Sequence, residues 1–210
     1  MMNHPNEIHS LFLEIAADLS PQLADSIKRV GPIELQSENS IPLAEHMCRS
    51  VTGQQLSVKV AKIIWGRLLE ASGDQPLSEF ITIDKTDLLR SCGLSAAKVR
   101  TVCGIAEEAR AGNLEAVDLG ALNHQERSMR LIRLWGIGQW TVDMISIFYF
   151  GDEDVWPDGD LIARTTLEKL TSKRRKTVRT AERFAPYRSR LAIYMWEFND
   201  LATNPNLPSS

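Results

Sequence analysis

A chain of 210 residues that is 43% hydrophobic and 24% charged has the length and balance to bury a core of its own, which sets aside disordered and fibrous classes. Its net charge of −3 gives no overall basic surplus, and three scattered cysteines with no C-x-x-C pair exclude a disulfide framework and indicate neither zinc nor an iron–sulfur cluster. No apolar run is long enough to span a membrane, and residues 1–10 lack the basic-then-apolar pattern of a leader. The cysteine usage points to a reducing, intracellular setting.

In chain order, Ile8, Leu11, Phe12, Ile15 and Leu19 form a helical stripe. Ser20-Pro21 reads as an N-cap and first helical position, opening a helix with Leu23 and Ile27 inward and Gly31-Pro32 as its stop. Ser40 is expected to cap a third helix, with Pro42 in its first turn and Leu43, Met47 and Val51 on one side. Thr52-Gly53-Gln54-Gln55-Leu56 interrupts that pattern, and Ser57 caps a helix from Val58 to Ala71 that ends at Gly73. Asp74 to Ile83 reads as loop, with Ile81 to Ile83 the one hint of a strand. Thr86 is expected to cap a short helix through Leu89 to Ser91 that Gly93 ends, and Ser95 caps another whose inner face is Val99, Val102, Ile105, Ala106 and Ala109.

From Leu131 to Arg164 the pattern begins to carry chemistry. Asn123 and Glu126 have the spacing of a capping box, and Met129, Leu131, Ile132 and Leu134 give the helix they open its apolar side. Gly136-Ile137-Gly138 then breaks it, as a tight turn needing φ > 0 or close approach would. The helix from about Gln139 to Phe150 is apolar nearly all round and is expected to be buried. Its first turn, with Gly138, Gln139, Trp140 and Thr141, offers amides to an anion such as phosphate; a G-x-G pair alone is equally served by a packing corner.

Downstream, Gly151-Asp152-Glu153-Asp154 reads as an ordinary polar turn, whereas Trp156-Pro157-Asp158-Gly159-Asp160 sets two acids beside Trp and Pro. Asp160 stands at a helix N-cap, a structural role that also suits an ionised carboxylate. Leu161, Ile162, Leu167 and Leu170 continue that helix, Thr177 or Thr180 starts another, and Pro186 lies at the start of the last, where Leu191, Met195 and Phe198 pack. Between Arg164 and Arg190 ten Lys or Arg stand against two Glu, a local net of +8 hidden by the global charge. The tail, Ala202 to Ser210, is rich in Asn, Pro and Ser, and a loose end is expected.

The segment LWGIGQWT, with Asp160 standing 24 positions after Gly136, resembles the helix-hairpin-helix DNA glycosylase superfamily, and within it the 3-methyladenine DNA glycosylase II branch. The likeness continues in Gly53 to Leu69 and Glu182 to Trp196, so it covers most of the chain from Ser40 to Phe198. It implies an all-α, two-lobed helix-hairpin-helix glycosylase fold of about ten helices, in the compact form without an N-terminal β domain. The central lobe would be residues 40–150, and the second lobe residues 1–39 with 151–210.

By the same resemblance the partner is double-stranded DNA holding a damaged base, acted on by a monomer away from any membrane. Asp160 would be the catalytic carboxylate, and Trp140, Trp196 and Tyr187 would line the base pocket. Gly136, Gly138, Gln139, Trp140 and Thr141 would bind backbone phosphate. Gln55, flanked by Gln54 and Leu56, would be the wedge that fills the gap left by a flipped base. Lys173, Arg174, Arg175, Lys176 and Arg188 would add phosphate contacts, Arg188 being equally suited to bracing. No cofactor is implied; the main-chain carbonyls of Ile132, Leu134 and Gly136 are candidates to hold a structural Na+ or K+. Position 140 is Trp where strand-cutting relatives carry a Schiff-base Lys, so hydrolysis alone is expected. Competing readings are a non-catalytic helix-hairpin-helix DNA-binding module, a glycosylase for oxidised or deaminated bases, and an α-helical scaffold.

Overall fold

A computed structural model describes residues 4–172 and 174–203. The expectations for Lys173 and for residues 204–210 of the tail lie outside the described residues. In chain order the α-helices are α1 Pro5–Leu19, α2 Pro21–Val30, α3 Leu43–Gly53, α4 Val58–Ser72, α5 Leu77–Phe80, α6 Thr86–Ser91, α7 Ala96–Arg110, α8 Ala116–Gly120, α9 His124–Leu131, α10 Gln139–Phe148, α11 Leu161–Leu170, α12 Thr177–Ala181 and α13 Arg188–Thr203. Two 3-10 turns, Ile83–Lys85 and Glu182–Phe184, complete the set, and the described residues contain no strand. The fold is all-α. The helices beyond those expected, α5 and α8, are single turns of four and five residues, too short to show a 3.6-residue period. They pack through Leu77, Phe80 and Leu119.

Two compact units divide the described residues: one runs up to Ser37 and resumes at Gly151, the other is Glu38–Phe150. In the first unit, α1 and α2 bring Ile8, Phe12, Ala16, Leu23 and Ile27 against Ala163, Leu167, Leu191, Ala192 and Met195 of α11 and α13. The Phe12 ring lies 4.9 Å from that of Phe184 and 5.3 Å from that of Tyr194, centroid to centroid. Ser20 caps α2 by accepting the Gln22 and Leu23 amides, and its hydroxyl donates to the Leu170 carbonyl at 2.6 Å. One small residue thus starts one helix and ties it to the end of another. Leu161 and Ile162, at the start of α11, are exposed, because α11 turns Ala163, Thr166 and Leu167 to the core.

In the second unit α3 packs on α7, and Met47, Cys48, Val51, Leu68, Val102, Ile105 and Ile145 form the centre of the core. Ser57 and Ser95 cap α4 and α7 through the Val60 and Lys98 amides. Ser40 does not cap α3: Pro42 holds the cap position with φ −55°, and Ser40 lies in the bend before it. The strand hinted at for Ile81 to Ile83 is absent as well. Ile81 is a buried residue closing α5, and Ile83 opens a 3-10 turn.

Candidate functional site

Asp160 is the N-cap of α11, where its Oδ1 accepts the Ala163 amide at 2.8 Å. The same oxygen accepts the indole Nε1–H of Trp196, on α13, at 2.9 Å. Two donors from different helices fix the rotamer of a half-buried carboxylate. The cap was legible in the sequence; the indole contact, made 36 residues away, left no local pattern.

The loop before Asp160 is sewn to the start of α13. Arg188 donates from Nε and Nη2 to the two Asp154 oxygens at 2.6 and 3.0 Å. Ser189 donates to the Asp152 carbonyl at 2.6 Å and accepts the Val155 amide at 2.9 Å. Arg190 grips both Glu153 oxygens at 2.8 Å and the Ile33 carbonyl at 3.0 Å. Bidentate arginine–carboxylate pairs of this kind add direction as well as energy. The acidic turn is therefore a clamp, and Arg188, read as either a phosphate contact or a brace, pairs with Asp154 in it.

Arg183 is likewise paired, with Asp18 at 2.8 Å, so the open basic surface is smaller than the +8 count. What remains exposed includes Arg174, Arg175, Lys176 and Arg179, which with Ser172 surround a shallow recess. Tyr187, one residue before α13, is half-buried.

The capping box of α9 forms, Asn123 accepting the Glu126 amide at 3.0 Å and Glu126 accepting the Asn123 amide at 3.1 Å. Met129 and Ile132, expected inward, are exposed; the buried side of α9 is Arg127, Ser128 and Leu131. Arg127 explains the difference. It donates to the Leu119 and Leu122 carbonyls at 3.0 Å and to Ser146 Oγ at 3.1 Å, with its guanidinium carbon 3.9 Å from the centroid of the Phe150 ring. Asp143, buried within α10, accepts Gln139 Nε2 at 2.8 Å and pairs with His124 Nε2 at 3.1 Å. The two hairpin helices are stitched by polar groups, although α10 reads as apolar nearly all round.

The turn between them spans residues 132–138 and is pinned to the core by Ile137, whose amide donates to the Leu134 carbonyl at 3.1 Å. That carbonyl keeps a second lone pair, and turn carbonyls after a helix C-terminus have the hard-oxygen chemistry a monovalent cation needs. Gly136 adopts φ +80°, and a Cβ there would overlap Thr101 Oγ1 and lie 3.0 Å from its Cγ2. Gly138, at φ −101°, is the N-cap of α10, and a Cβ there would meet nothing within 4 Å. Trp140, in the first turn of α10, is 39% exposed, while Thr141 is buried.

The loop between α3 and α4 is braced from below. Lys98 of α7 donates to the Thr52 and Gln54 carbonyls at 2.9 and 2.8 Å, and burial pushes its ammonium below the usual lysine range. Gln54 Nε2 donates to Thr141 Oγ1 at 3.1 Å, which holds the Gln54 side chain towards α10. Gln55 and Leu56 are exposed, and Gln55 holds φ +58°, the one non-glycine with positive φ among the described residues. A side chain kept in that region costs about 1 kcal/mol or more and is typical of ligand-contacting loops. Lys98 carried no sequence signal; its role depends on a carbonyl 44 residues away.

No family model matches the chain. A DNA-3-methyladenine glycosidase structure from Bacillus halodurans matches with a TM-score of 0.76 at 24% identity, over 90% of this chain and 89% of that one. The Schizosaccharomyces pombe 3-methyladenine DNA glycosylase, solved in complex with abasic DNA, matches with a TM-score of 0.73 at 29% identity, over 90% of this chain and 98% of that one. The fold is that of the helix-hairpin-helix DNA glycosylases. In sequence, the chain is 34% identical over 175 residues to DNA-3-methyladenine glycosylase 1 of Schizosaccharomyces pombe, a match covering 78% of this chain and 76% of the relative. The chain belongs to the DNA-3-methyladenine glycosylase family.

Proposed function

We propose that the protein is a monofunctional DNA glycosylase that rotates alkylated purines, of the 3-methyladenine and 7-methylguanine type, out of double-stranded DNA and hydrolyses their N-glycosidic bond. It acts inside the cell as a monomer and leaves an abasic site for base excision repair. The observation that carries this reading is the Asp160 carboxylate, held at a helix N-terminus by the Ala163 amide and the Trp196 indole. The substrate class comes from the family and from the relatives named above.

A base cannot be reached within the stack, so it must be flipped. Gly136, Gly138, Gln139, Trp140 and Thr141 grip the phosphate backbone through main-chain amides, a contact that positions without reading sequence. Ile132, Leu134 and Gly136 would hold a Na+ or K+ through their carbonyls, and such an ion supplies positive charge beside that phosphate. Arg174, Arg175, Lys176 and the neighbouring Lys173 add salt-dependent affinity. Gln55, with Leu56 beside it, enters the space the base has left.

Asp160 then stabilises the oxocarbenium-like sugar as the bond breaks and orients the water that adds to C1′. Water's oxygen bonds to C1′ as its proton passes to the Asp160 carboxylate, and the pair of the breaking C1′–N bond leaves with the base. A cationic alkylpurine is a good leaving group, so no strong general acid is required. Trp140, Trp196 and Tyr187 are the aromatic side chains assigned to that cation.

Chromatography of bases released from methylated duplex DNA tests the proposal. Wild type is expected to release alkylpurines with little covalent trapping by borohydride. Asp160→Asn retains the capping chemistry and DNA binding but slows release about 10²–10³-fold or more. Unimpaired release by Asp160→Asn would overturn the assignment of the carboxylate. DNA binding without release by wild type would make the protein a binding module.

A further inference from the structure

The hairpin turn carries an indole that the proposed reaction does not use. Trp135, directly before Gly136, is 47% exposed, and the Arg100 guanidinium carbon lies 4.2 Å from its ring centroid. Arg100 belongs to α7 and is followed by Thr101, the residue against which Gly136 packs. Thr101 is buried and donates to the Ala97 carbonyl at 3.0 Å, so the place where α7 meets the turn is fixed. No carboxylate pairs with Arg100 among the described residues. Among the described residues its guanidinium rests on the Trp135 indole.

An exposed tryptophan in a turn gains nothing for the fold from its uncovered half. A guanidinium resting on an aromatic face keeps its N–H donors at the edge, where they can reach a planar or tetrahedral oxyanion. Stacking also removes part of the entropy a long arginine loses on binding. We infer that Trp135 and Arg100 form a second backbone-gripping element beside the hairpin amides, Arg100 pairing with a phosphate and Trp135 lying against the adjoining deoxyribose of the same strand. This rests on the DNA-binding part of the function proposed above. It predicts that the turn engages two successive phosphates, one through main-chain amides and one through this pair.

The test is equilibrium binding of the full chain to undamaged duplex DNA, followed by anisotropy across a salt series, with base release from methylated DNA measured in parallel. Arg100→Ala is expected to weaken binding about tenfold at low salt and to reduce the slope of log K against log salt by about 0.9, the value for one phosphate contact on duplex DNA. Trp135→Ala should lose a similar factor, Trp135→Phe should recover most of it, and the double variant should lose less than the product of the two. Release at saturating DNA should stay within twofold of wild type. Arg100→Gln, which keeps the length of the stem, serves as a second slope measurement.

An unchanged slope in both Arg100 variants, with Lys176→Ala still lowering it, would overturn the inference and leave the proposed function standing. A reduced slope in a protein that releases no base would uphold the inference and remove the catalytic reading. Failure of wild type to bind duplex DNA would remove both.

Discussion

Gly136 and Gly138 look alike in the sequence and are held to glycine by different forces. At Gly136 the fold makes the demand: φ is +80°, and a Cβ would drive into Thr101. At Gly138 φ is −101° and the space is open, so the fold makes none, and the missing side chain leaves the start of α10 approachable. Gly136→Ala should therefore cost about 2 kcal/mol or more from the unfavourable φ and the overlap. Gly138→Ala should stay within about 0.5 kcal/mol and weaken duplex binding about tenfold. Thermal melts with anisotropy separate the two, and equal loss of stability would refute the distinction. His46 supplies a second prediction. Its Nδ1 is buried with no partner, and burial is the main reason its pKa lies below the ordinary value of 6.5, with Arg49 lowering it further and Glu38 opposing. The unfolded chain takes up a proton near pH 6.5 before the folded one does, so stability is lost as pH falls from there towards the folded value. His46→Gln should flatten the fall in melting temperature between pH 7 and 5.5; an unaltered profile would exclude His46 as its source.

Among the elements, what could be read in advance was local. Ser20, Ser57, Ser95, Asn123 and Asp160 all cap helices, because a cap bonds two or three residues ahead and its chemistry is written in that interval, whereas Ser40 and Thr86, read the same way, give their cap positions to Pro42 and Lys85. The all-helical class followed from the same short-range periods, and the family from LWGIGQWT and Asp160. The Asp152–Asp154 clamp on Arg188–Arg190 was not legible. Its partners lie 34 to 37 residues apart, and each half alone looks like a solvated charge run. Arg127 inverted the reading of α9 in a similar way, since a helical wheel gives an arginine to solvent and Met129 to the core. The clamp now makes a prediction of its own. Arg188→Ala leaves Asp154 half-exposed without its partner, so the stability loss should be about 1–2 kcal/mol. The larger effect should fall on base release, because the clamp carries the loop that ends in Asp160. Asp154→Ala should show the same split, slower release at saturating DNA with duplex affinity within twofold. If Arg188 were instead a phosphate contact, Arg188→Ala would lower affinity and salt slope and Asp154→Ala would not.

Across the whole chain, the two units differ in how they are assembled from sequence. Glu38–Phe150 is continuous and owns its core, from Leu43 to Tyr149. The other unit is built from both ends of the chain: Ile8, Phe12, Ala16, Leu23 and Ile27 come from before Ser37, while Leu167, Leu191 and Met195 come from beyond Gly151. Four of those early side chains are large and buried, and at about 1.5–3 kcal/mol each their removal is comparable to the whole stability of a unit of this size. A chain lacking residues 1–37 should therefore keep a cooperatively melting Glu38–Phe150 segment while α11 and α13 lose their packing, and with it the Trp196–Asp160 hydrogen bond. Such a truncated protein should still bind duplex DNA through the hairpin and release no base. Adding residues 1–37 as a separate peptide should restore release in proportion to occupancy, since only non-covalent burial has been interrupted. Circular dichroism melts and the released-base assay follow the two properties separately. Persistence of release without the peptide would mean that the carboxylate is held by its own helix cap alone. Loss of the cooperative melt in Glu38–Phe150 would mean that the continuous core does not suffice for that unit.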